Sequence, residues 1–418
     1  MVPSTIMQRL QHWAGRQPQV SALIQGSRTV SYRELASAVE NFIERLSSEK
    51  MRSRSTVAIQ AHKTVETIAL ITALEHLQHP VLLVSPHIGA DVKQAIYHTA
   101  MVEAEVVYVS PELLTCHFFQ SAVSHMPYQD EEAPVFLLTT SGSTGTPKGV
   151  KLPRSSVQNF FFWSRANFGI GPGKTILSYA PLNFDLSLLE VWAALDSGAT
   201  VVLVGAAQAA DGQTLRSLLQ AHRPQLIQGV PLLFRLLLED PSFSYPINAH
   251  IIVTGEATPK PLRQSIVSAF PAAVFYNIYG STETNDSFIL SPDAIQFACS
   301  ETLPIGNPIA NTQYKILDEQ GNIIKGAGIG ELHTSTPFAA IGYTDPKITA
   351  RSFYSDGSYT FYRTGDLVER NPAGEIYILG RRDYVVKVRG VRTNLRDIEI
   401  ALESHPGVER VVVCPLKD

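Results

Sequence analysis

The run Leu137-Leu138-Thr139-Thr140-Ser141-Gly142-Ser143-Thr144-Gly145-Thr146-Pro147-Lys148-Gly149-Val150 carries the strongest chemical signal in the chain. An apolar strand passes straight into a loop of hydroxyls and glycines that ends in one lysine. Glycines let backbone N–H groups approach an anion, hydroxyls donate to phosphate oxygens, and a lysine supplies a point charge. The order is not that of a Walker loop: Gly142 to Lys148 lacks the G-x-x-x-x-G-K-[ST] spacing, and Gly149 follows the lysine. A generic P-loop NTPase is therefore disfavoured. Ser/Thr/Gly clusters are usually plain surface turns; the length and order of this one set it apart.

Further charged groups stand in short stretches downstream. They are Asn183-Phe184-Asp185-Leu186-Ser187, Asn277-Ile278-Tyr279-Gly280-Ser281-Thr282-Glu283-Thr284, Gly330-Glu331-Leu332 with Gly342-Tyr343, Tyr362-Arg363-Thr364-Gly365-Asp366-Leu367, and Gly380-Arg381-Arg382-Asp383 with Val386-Lys387-Val388-Arg389-Gly390. Taken singly, each has an ordinary reading. Glu283 would be a solvated carboxylate at a turn, Tyr279 a half-buried core aromatic, and Asp366 a turn residue after Gly365. Asp185 or Ser187 would cap a helix starting at Leu188.

A fold must gather these scattered groups. From about 20 to 300, the apolar runs 56–59, 80–84, 105–109, 135–138, 199–204 and 250–253 alternate with helical patterns at 64–77, 188–195 and 212–222. Such runs predict strands buried on both faces of a parallel sheet. The βαβ rhythm predicts two layered α/β subdomains. From about 301 to 382 strand-like pieces are joined by Gly and Asp turns, which predicts a small antiparallel sheet or β-barrel. A basic strand at 384–390, a helix at 395–404 and a strand at 408–413 follow, too few elements to close a core alone. The expected organisation is a core over 1–382, then a hinge and a partial α+β fragment over 383–418.

Bulk properties exclude several function classes. The net charge of −4 offers no basic excess for a nucleic-acid partner. The twelve histidines are scattered and no pair sits at metal-ligand spacing. Cys116, Cys299 and Cys414 are odd in number and far apart, so neither a disulfide framework nor a zinc knuckle follows. The N-terminal stretch Thr5–Ala14 reads as a short amphipathic helix without a signal-peptide core. No run approaches the roughly twenty apolar residues that span a bilayer, so no membrane partner is expected and the expected location is cytoplasmic.

The five ordered motifs that begin at Thr140–Gly149 resemble those of the ANL superfamily: acyl-CoA synthetases, adenylation domains of nonribosomal peptide synthetases, and luciferases. The resemblance covers essentially the whole chain. It implies an ATP- and Mg²⁺-dependent ligase in which a carboxylate attacks the α-phosphorus, giving acyl-AMP and pyrophosphate. Charge on the polyphosphate must be neutralised for that attack. By resemblance Thr140, Thr144, Lys148 and Glu283 serve catalysis, with Glu283 holding Mg²⁺. Ser141, Gly142, Ser143, Gly145, Gly255, Glu256, Ala257, Asn277, Tyr279, Gly280, Ser281, Thr282, Asp366 and Arg381 would surround the nucleotide. Tyr279 would stack on adenine, Asp366 would accept from ribose hydroxyls, and Asp383 would be the hinge.

Asn183–Ser187 resembles the Phe-Asp-x-Ser stretch of amino-acid-activating members, where the aspartate pairs with the substrate ammonium. A buried ammonium requires such a partner, whereas an aryl- or fatty-acid:CoA ligase has no use for the charge. The substrate is therefore expected to be an amino acid, and the acceptor a carrier protein with a phosphopantetheine arm. Family pocket positions map to Asp185, Leu186, Leu189, Gly229, Ile252, Thr254, Ile278, Asp286 and Ser287. Most are apolar or small, which favours a small apolar or cyclic side chain. Asp286 is the odd member, reading either a hydroxyl or second amine on the substrate, or pointing to solvent.

Two departures accompany the resemblance. Ser281 stands where amino-acid-activating members commonly have Pro. Family members continue for part of a domain beyond the position of Asp418, and that part carries a lysine used in adenylation. Binding of ATP and substrate is thus expected to survive better than turnover. A catalytically inactive nucleotide-binding or scaffolding module is the non-enzymatic alternative.

Overall fold

The computed structural model describes residues 5–110, 113–119, 133–140, 148–382, 385–388, 391–395 and 411–413, with single positions between 398 and 408. The chain opens with the helix Ile6–Arg16, started by a capping box in which Thr5 and Gln8 satisfy each other's backbone N–H groups.

Two parallel sheets carry most of the chain. The first runs Leu113–Phe118, Val102–Ser110, Thr56–Gln60, Val81–Val84, Pro134–Thr140, Lys148–Pro153 in spatial order. Its middle is parallel and its two edge pairs antiparallel. The second has nine strands, with a parallel stretch running Val274–Ser281, His250–Thr254, Leu226–Gly229, Thr175–Ser178, Thr200–Leu203, Ser21–Gln25. Asn285–Leu290 and Asn307–Pro308 extend it antiparallel at one end and Arg28–Ser31 at the other. Strands such as Val81–Val84 are buried at every position, as strands covered on both faces must be.

The helix Val65–His76 is apolar nearly all round and lies in the interior. Thr64 caps it by accepting from the Thr67 N–H. In the largest core cluster, Trp192 meets Phe136 of the first sheet with ring centres 5.3 Å apart, both side chains fully buried. Trp192 belongs to a π-helical turn, Leu188–Ala193, that runs into the short helix Ala194–Asp196. The sequence pattern predicts a plain helix there.

The third unit is an antiparallel sheet of Gln313–Leu317, Gly328–Ser335, Tyr359–Arg370, Phe353–Asp356 and Ile376–Arg381. Tyr359–Arg370 pairs with Phe353–Asp356 near its start and with Ile376–Arg381 near its end. Among the described residues no pairing closes this sheet, so the expected barrel is observed as an open sheet. One face of this sheet has a partner: Ile316, Leu332, Val368 and Ile376 pack on Phe288 of the second sheet. Beyond it, Val385–Val388 and Val391–Asn394 form a two-stranded ladder where one strand was expected. The described positions of the expected last strand carry no strand assignment.

Candidate active site

A cavity of about 770 Å³ opens where the two parallel sheets face each other. Its lining follows the carboxyl ends of their strands: Ala61 after Thr56–Gln60, Ser85 after Val81–Val84, Thr140 at the end of Pro134–Thr140. From the second sheet come Tyr179, Val204, Val230, Gly255 and Ser281. Carboxyl ends of parallel strands are where α/β sheets bind ligands.

The hydroxyl-rich loop is the connection of a hairpin. Thr140 and Lys148 are register partners in the antiparallel pair Pro134–Thr140 and Lys148–Pro153. Ser141, Gly142, Ser143, Thr144 and Gly145 lie outside the described residues. Thr140 lines the cavity and its buried hydroxyl has no hydrogen-bond partner among the described residues. A buried orphan hydroxyl costs free energy unless a ligand completes it.

Glu283 sits in the tight turn between Val274–Ser281 and Asn285–Leu290, almost fully buried. The Tyr343 hydroxyl donates to Glu283 Oε1 at 2.7 Å, and the Ala340 N–H donates to its backbone carbonyl at 2.8 Å. Lys148 Nζ lies 5.6 Å from the centre of the Tyr343 ring. Backbone bonds from Lys151 N to Gly342 O and from Thr344 N to Gly149 O hold segment 340–344 along the lysine strand. Segment 340–344 therefore joins Lys148 to Glu283. Burial, then the adjacent Glu283 carboxylate, raises the Tyr343 phenol far above its ordinary range, so it remains a donor.

Tyr279, Asp366 and Arg381 form the adjoining cluster. The Tyr279 hydroxyl donates to Asp366 Oδ2 at 2.5 Å and Arg381 donates to Oδ1 at 2.8 Å. Asp366 and Arg381 face each other across paired strands, which fixes their spacing of fifteen residues through the ladder. Tyr279 also packs edge-on against Phe288. Tyr343 and Tyr362 hydroxyls stand 3.4 Å apart, so contacts run continuously from Lys148 to the sheet that carries Asp366. Gly280, Ser281, Thr282 and Gly255 line the cavity. Glu256, Ala257 and Asn277 do not. Asn277 donates instead to Pro304 O at 3.0 Å, tying the second sheet to the segment that follows it. Asp383 lies outside the described residues.

On the acyl side, Asp185, Leu186, Leu189, Thr254 and Asp286 line the cavity. Asp185 does not cap the following helix: its Oδ2 accepts from Thr282 Oγ1 at 2.7 Å. Ser187 does not cap it either, donating to Leu182 O at 3.0 Å. Asp286 is half-buried on the cavity wall, and burial together with the Asp185 charge pushes its carboxyl up to about 8. Its position depends on Gly280, where a Cβ would come within 2.1 Å of Asn285 O and 3.0 Å of Asp286 Cα.

Four expected pocket positions lie elsewhere. Ile252 and Ile278 are in the hydrophobic core. The Ser287 hydroxyl donates to Thr284 Oγ1 at 3.1 Å. The space at Gly229 is taken by Leu233, whose Cδ2 lies 2.6 Å from where a Cβ would stand.

Sequence reasoning missed two polar groups at this site. Lys63 lines the cavity and donates to Ser178 O at 2.9 Å, while Glu190 accepts from the Ala180 N–H at 2.9 Å. Burial lowers the Lys63 ammonium and raises the Glu190 carboxyl, each opposed by the other's charge. They are 127 residues apart (190 − 63), and no local pattern signals that each feels the other's charge.

The family model described as AMP-binding enzyme matches residues 10–344. The D-alanine--D-alanyl carrier protein ligase of Bacillus licheniformis is 26% identical over 431 residues, covering 98% of this chain and 85% of that protein. The L-proline--[L-prolyl-carrier protein] ligase of Streptomyces coelicolor is 34% identical over 289 residues, covering 66% of this chain and 53% of that protein. The crystal structure of IdnL1 superposes with a TM-score of 0.82 at 25% identity, over 97% of this chain and 88% of that one. With the family match spanning most of its length and the cleft built from the motifs above, this chain belongs to the AMP-binding enzyme family.

Proposed function

We propose that the protein activates an amino acid: its carboxylate attacks the α-phosphorus of ATP, forming aminoacyl-AMP and releasing pyrophosphate, and the aminoacyl group then passes to a phosphopantetheine thiol on a carrier protein. The observation that carries this reading is Asp185, a carboxylate placed in the cavity by Thr282 rather than used as a helix cap. A carboxylate there stabilises an ammonium that is removed from water. The amino-acid:carrier-protein ligases among the relatives support both the substrate and the acceptor.

Each part of the site has a corresponding task. Thr140 and Lys148, with Ser141, Gly142, Ser143, Thr144 and Gly145, bind the polyphosphate. Gly255, Gly280, Ser281 and Thr282 form the floor beneath the nucleotide. Tyr279 and Arg381 hold Asp366 in position to accept from the ribose. Glu283 is the ligand for Mg²⁺. A hard cation bound mainly by substrate phosphates needs one or two carboxylates and no protein cage, and no three-residue ligating cluster exists among the described residues. Glu283, oriented by Tyr343, is a donor of that kind. The cation's contribution is to neutralise phosphate charge as the carboxylate attacks.

We take residues 1–382 as the adenylation core, with α/β subdomains to about 300, and 383–418 as hinge and partial small domain pivoting at Asp383. No helix among the described residues is long and apolar enough to cross a membrane, and Cys116 and Cys299 are free. Both fit a cytoplasmic enzyme. Amino-acid-dependent ATP–pyrophosphate exchange tests the function. Exchange should appear with at least one amino acid and vanish in Asp185→Ala. Exchange that is unaltered by that substitution would reject the amine anchor and favour an acyl- or aryl-acid ligase.

A further inference from the structure

Asp286 is the one cavity carboxyl whose surroundings leave it unfinished. It sits on the strand Asn285–Leu290, opposite Gly280 across a bulged ladder, and its side chain opens onto the cavity. Its backbone N–H is satisfied by Asn285 Oδ1 at 2.9 Å. Its carboxyl accepts and donates no hydrogen bond among the described residues. Asp185, the anchor assigned above, is close enough for its charge to act on Asp286. Other titratable groups on the cavity wall are His62, Lys63, His87 and Tyr179. Of these, Lys63 is engaged with Ser178 O, and the Tyr179 hydroxyl with Ala209 O at 3.2 Å.

Two carboxyls facing one cavity cannot both ionise without cost, so Asp286 holds its proton until a cation joins it. A purely apolar ligand would leave Asp286 as unpartnered as before. A ligand with a second cation would supply its partner and offset the Asp185 charge, so that Asp286 can ionise. Leu186 and Leu189 line the same cavity and are suited to a methylene stem.

We propose that the substrate is a diamino acid, whose α-ammonium is received by Asp185 and whose side-chain ammonium is received by Asp286. This rests on the amino-acid reading given above and names the substrate class within it. It departs from the small apolar or cyclic side chain that the pocket positions suggest in sequence, because Gly229, Ile252 and Ile278 do not line the cavity and Asp286 does.

The test is calorimetric binding of two stable adenylate mimics, ornithinyl-sulfamoyladenosine and norvalyl-sulfamoyladenosine, which differ in the side-chain amine. The ornithinyl compound should bind at least tenfold more tightly to the wild-type chain. Asp286→Asn should erase that difference while retaining norvalyl binding, which also shows that the variant is folded. Equal or tighter binding of the norvalyl compound to the wild type would overturn the diamino-acid assignment and leave amino-acid activation standing. If neither compound bound more tightly than AMP, the amino-acid reading itself would fall, and this inference with it.

Discussion

The cavity wall and the cluster of Tyr279, Asp366, Arg381, Glu283 and Tyr343 beside it treat their carboxyls in opposite ways. In the adjoining cluster Asp366 is clasped by Tyr279 and Arg381, and Glu283 is held by Tyr343. On the cavity wall, among the described residues, Asp185 has a single hydroxyl partner and the Asp286 carboxyl has none. In the function proposed above, the cluster is a preorganised scaffold for the nucleotide, the ligand part that does not vary. The cavity wall, in the same proposal, leaves the Asp286 carboxyl without a partner until a particular substrate arrives. Groups already partnered inside the protein contribute to its own stability, whereas groups left open reduce it in exchange for selectivity.

The difference can be broken or sharpened in steps. The largest effect is expected for Asp185→Ala. Removing one partner of a desolvated charge pair costs about 2–5 kcal/mol, so aminoacyl-adenylate mimics should bind at least ~30-fold more weakly by calorimetry, with ATP affinity unchanged. Asp366→Ala should do the reverse. It strands the Arg381 guanidinium and the Tyr279 hydroxyl, lowering ATP affinity by about tenfold or more and lowering the melting temperature of the empty protein. Tyr343→Phe removes one hydrogen bond to Glu283, about 1 kcal/mol. The Mg²⁺ concentration needed for half-maximal exchange should rise several-fold while amino-acid affinity stays level.

The smallest effect separates the two regions by pH. Asp286 keeps its proton in the folded chain up to about 8, well above its ordinary value of 3.8. A carboxyl raised in this way contributes stability that is complete below its unfolded pKa and is lost as pH rises through the folded one. Acted on by the Asp185 charge, and sharing the cavity wall with His62, Lys63, His87 and Tyr179, it should make the melting temperature of the empty protein decline between pH 4 and 8. Asp286→Leu should flatten that decline and raise stability at pH 8. An unchanged profile would show that Asp286 is already compensated.

Local patterns made much of this fold legible. The helix Gly212–His222 begins and ends at the residues expected, and each apolar run named from sequence lies in a strand or overlaps one. These features rest on periodicity and end signals confined to a few consecutive residues. The π-helical turn Leu188–Ala193 was not legible, because a shifted hydrogen-bond register leaves no compositional mark. Pairings between distant segments were also hidden. Tyr279 and Asp366 are 87 residues apart, and nothing near either residue announces the other. The four pocket positions that miss the cavity show the same limit, since Leu233 fills the space at Gly229 from a neighbouring helix. The packing of the third sheet's face on Phe288 is likewise a contact that strand patterns alone do not encode.

Everything on the acyl side depends on Asp185 receiving an ammonium. The direct measurement compares calorimetric affinities of an aminoacyl-sulfamoyladenosine and its des-amino analogue for the wild-type chain and Asp185→Ala. The wild type should prefer the amine by one to two orders of magnitude, and the variant should show no preference. Equal affinities for the two compounds in the wild type would contradict the assignment.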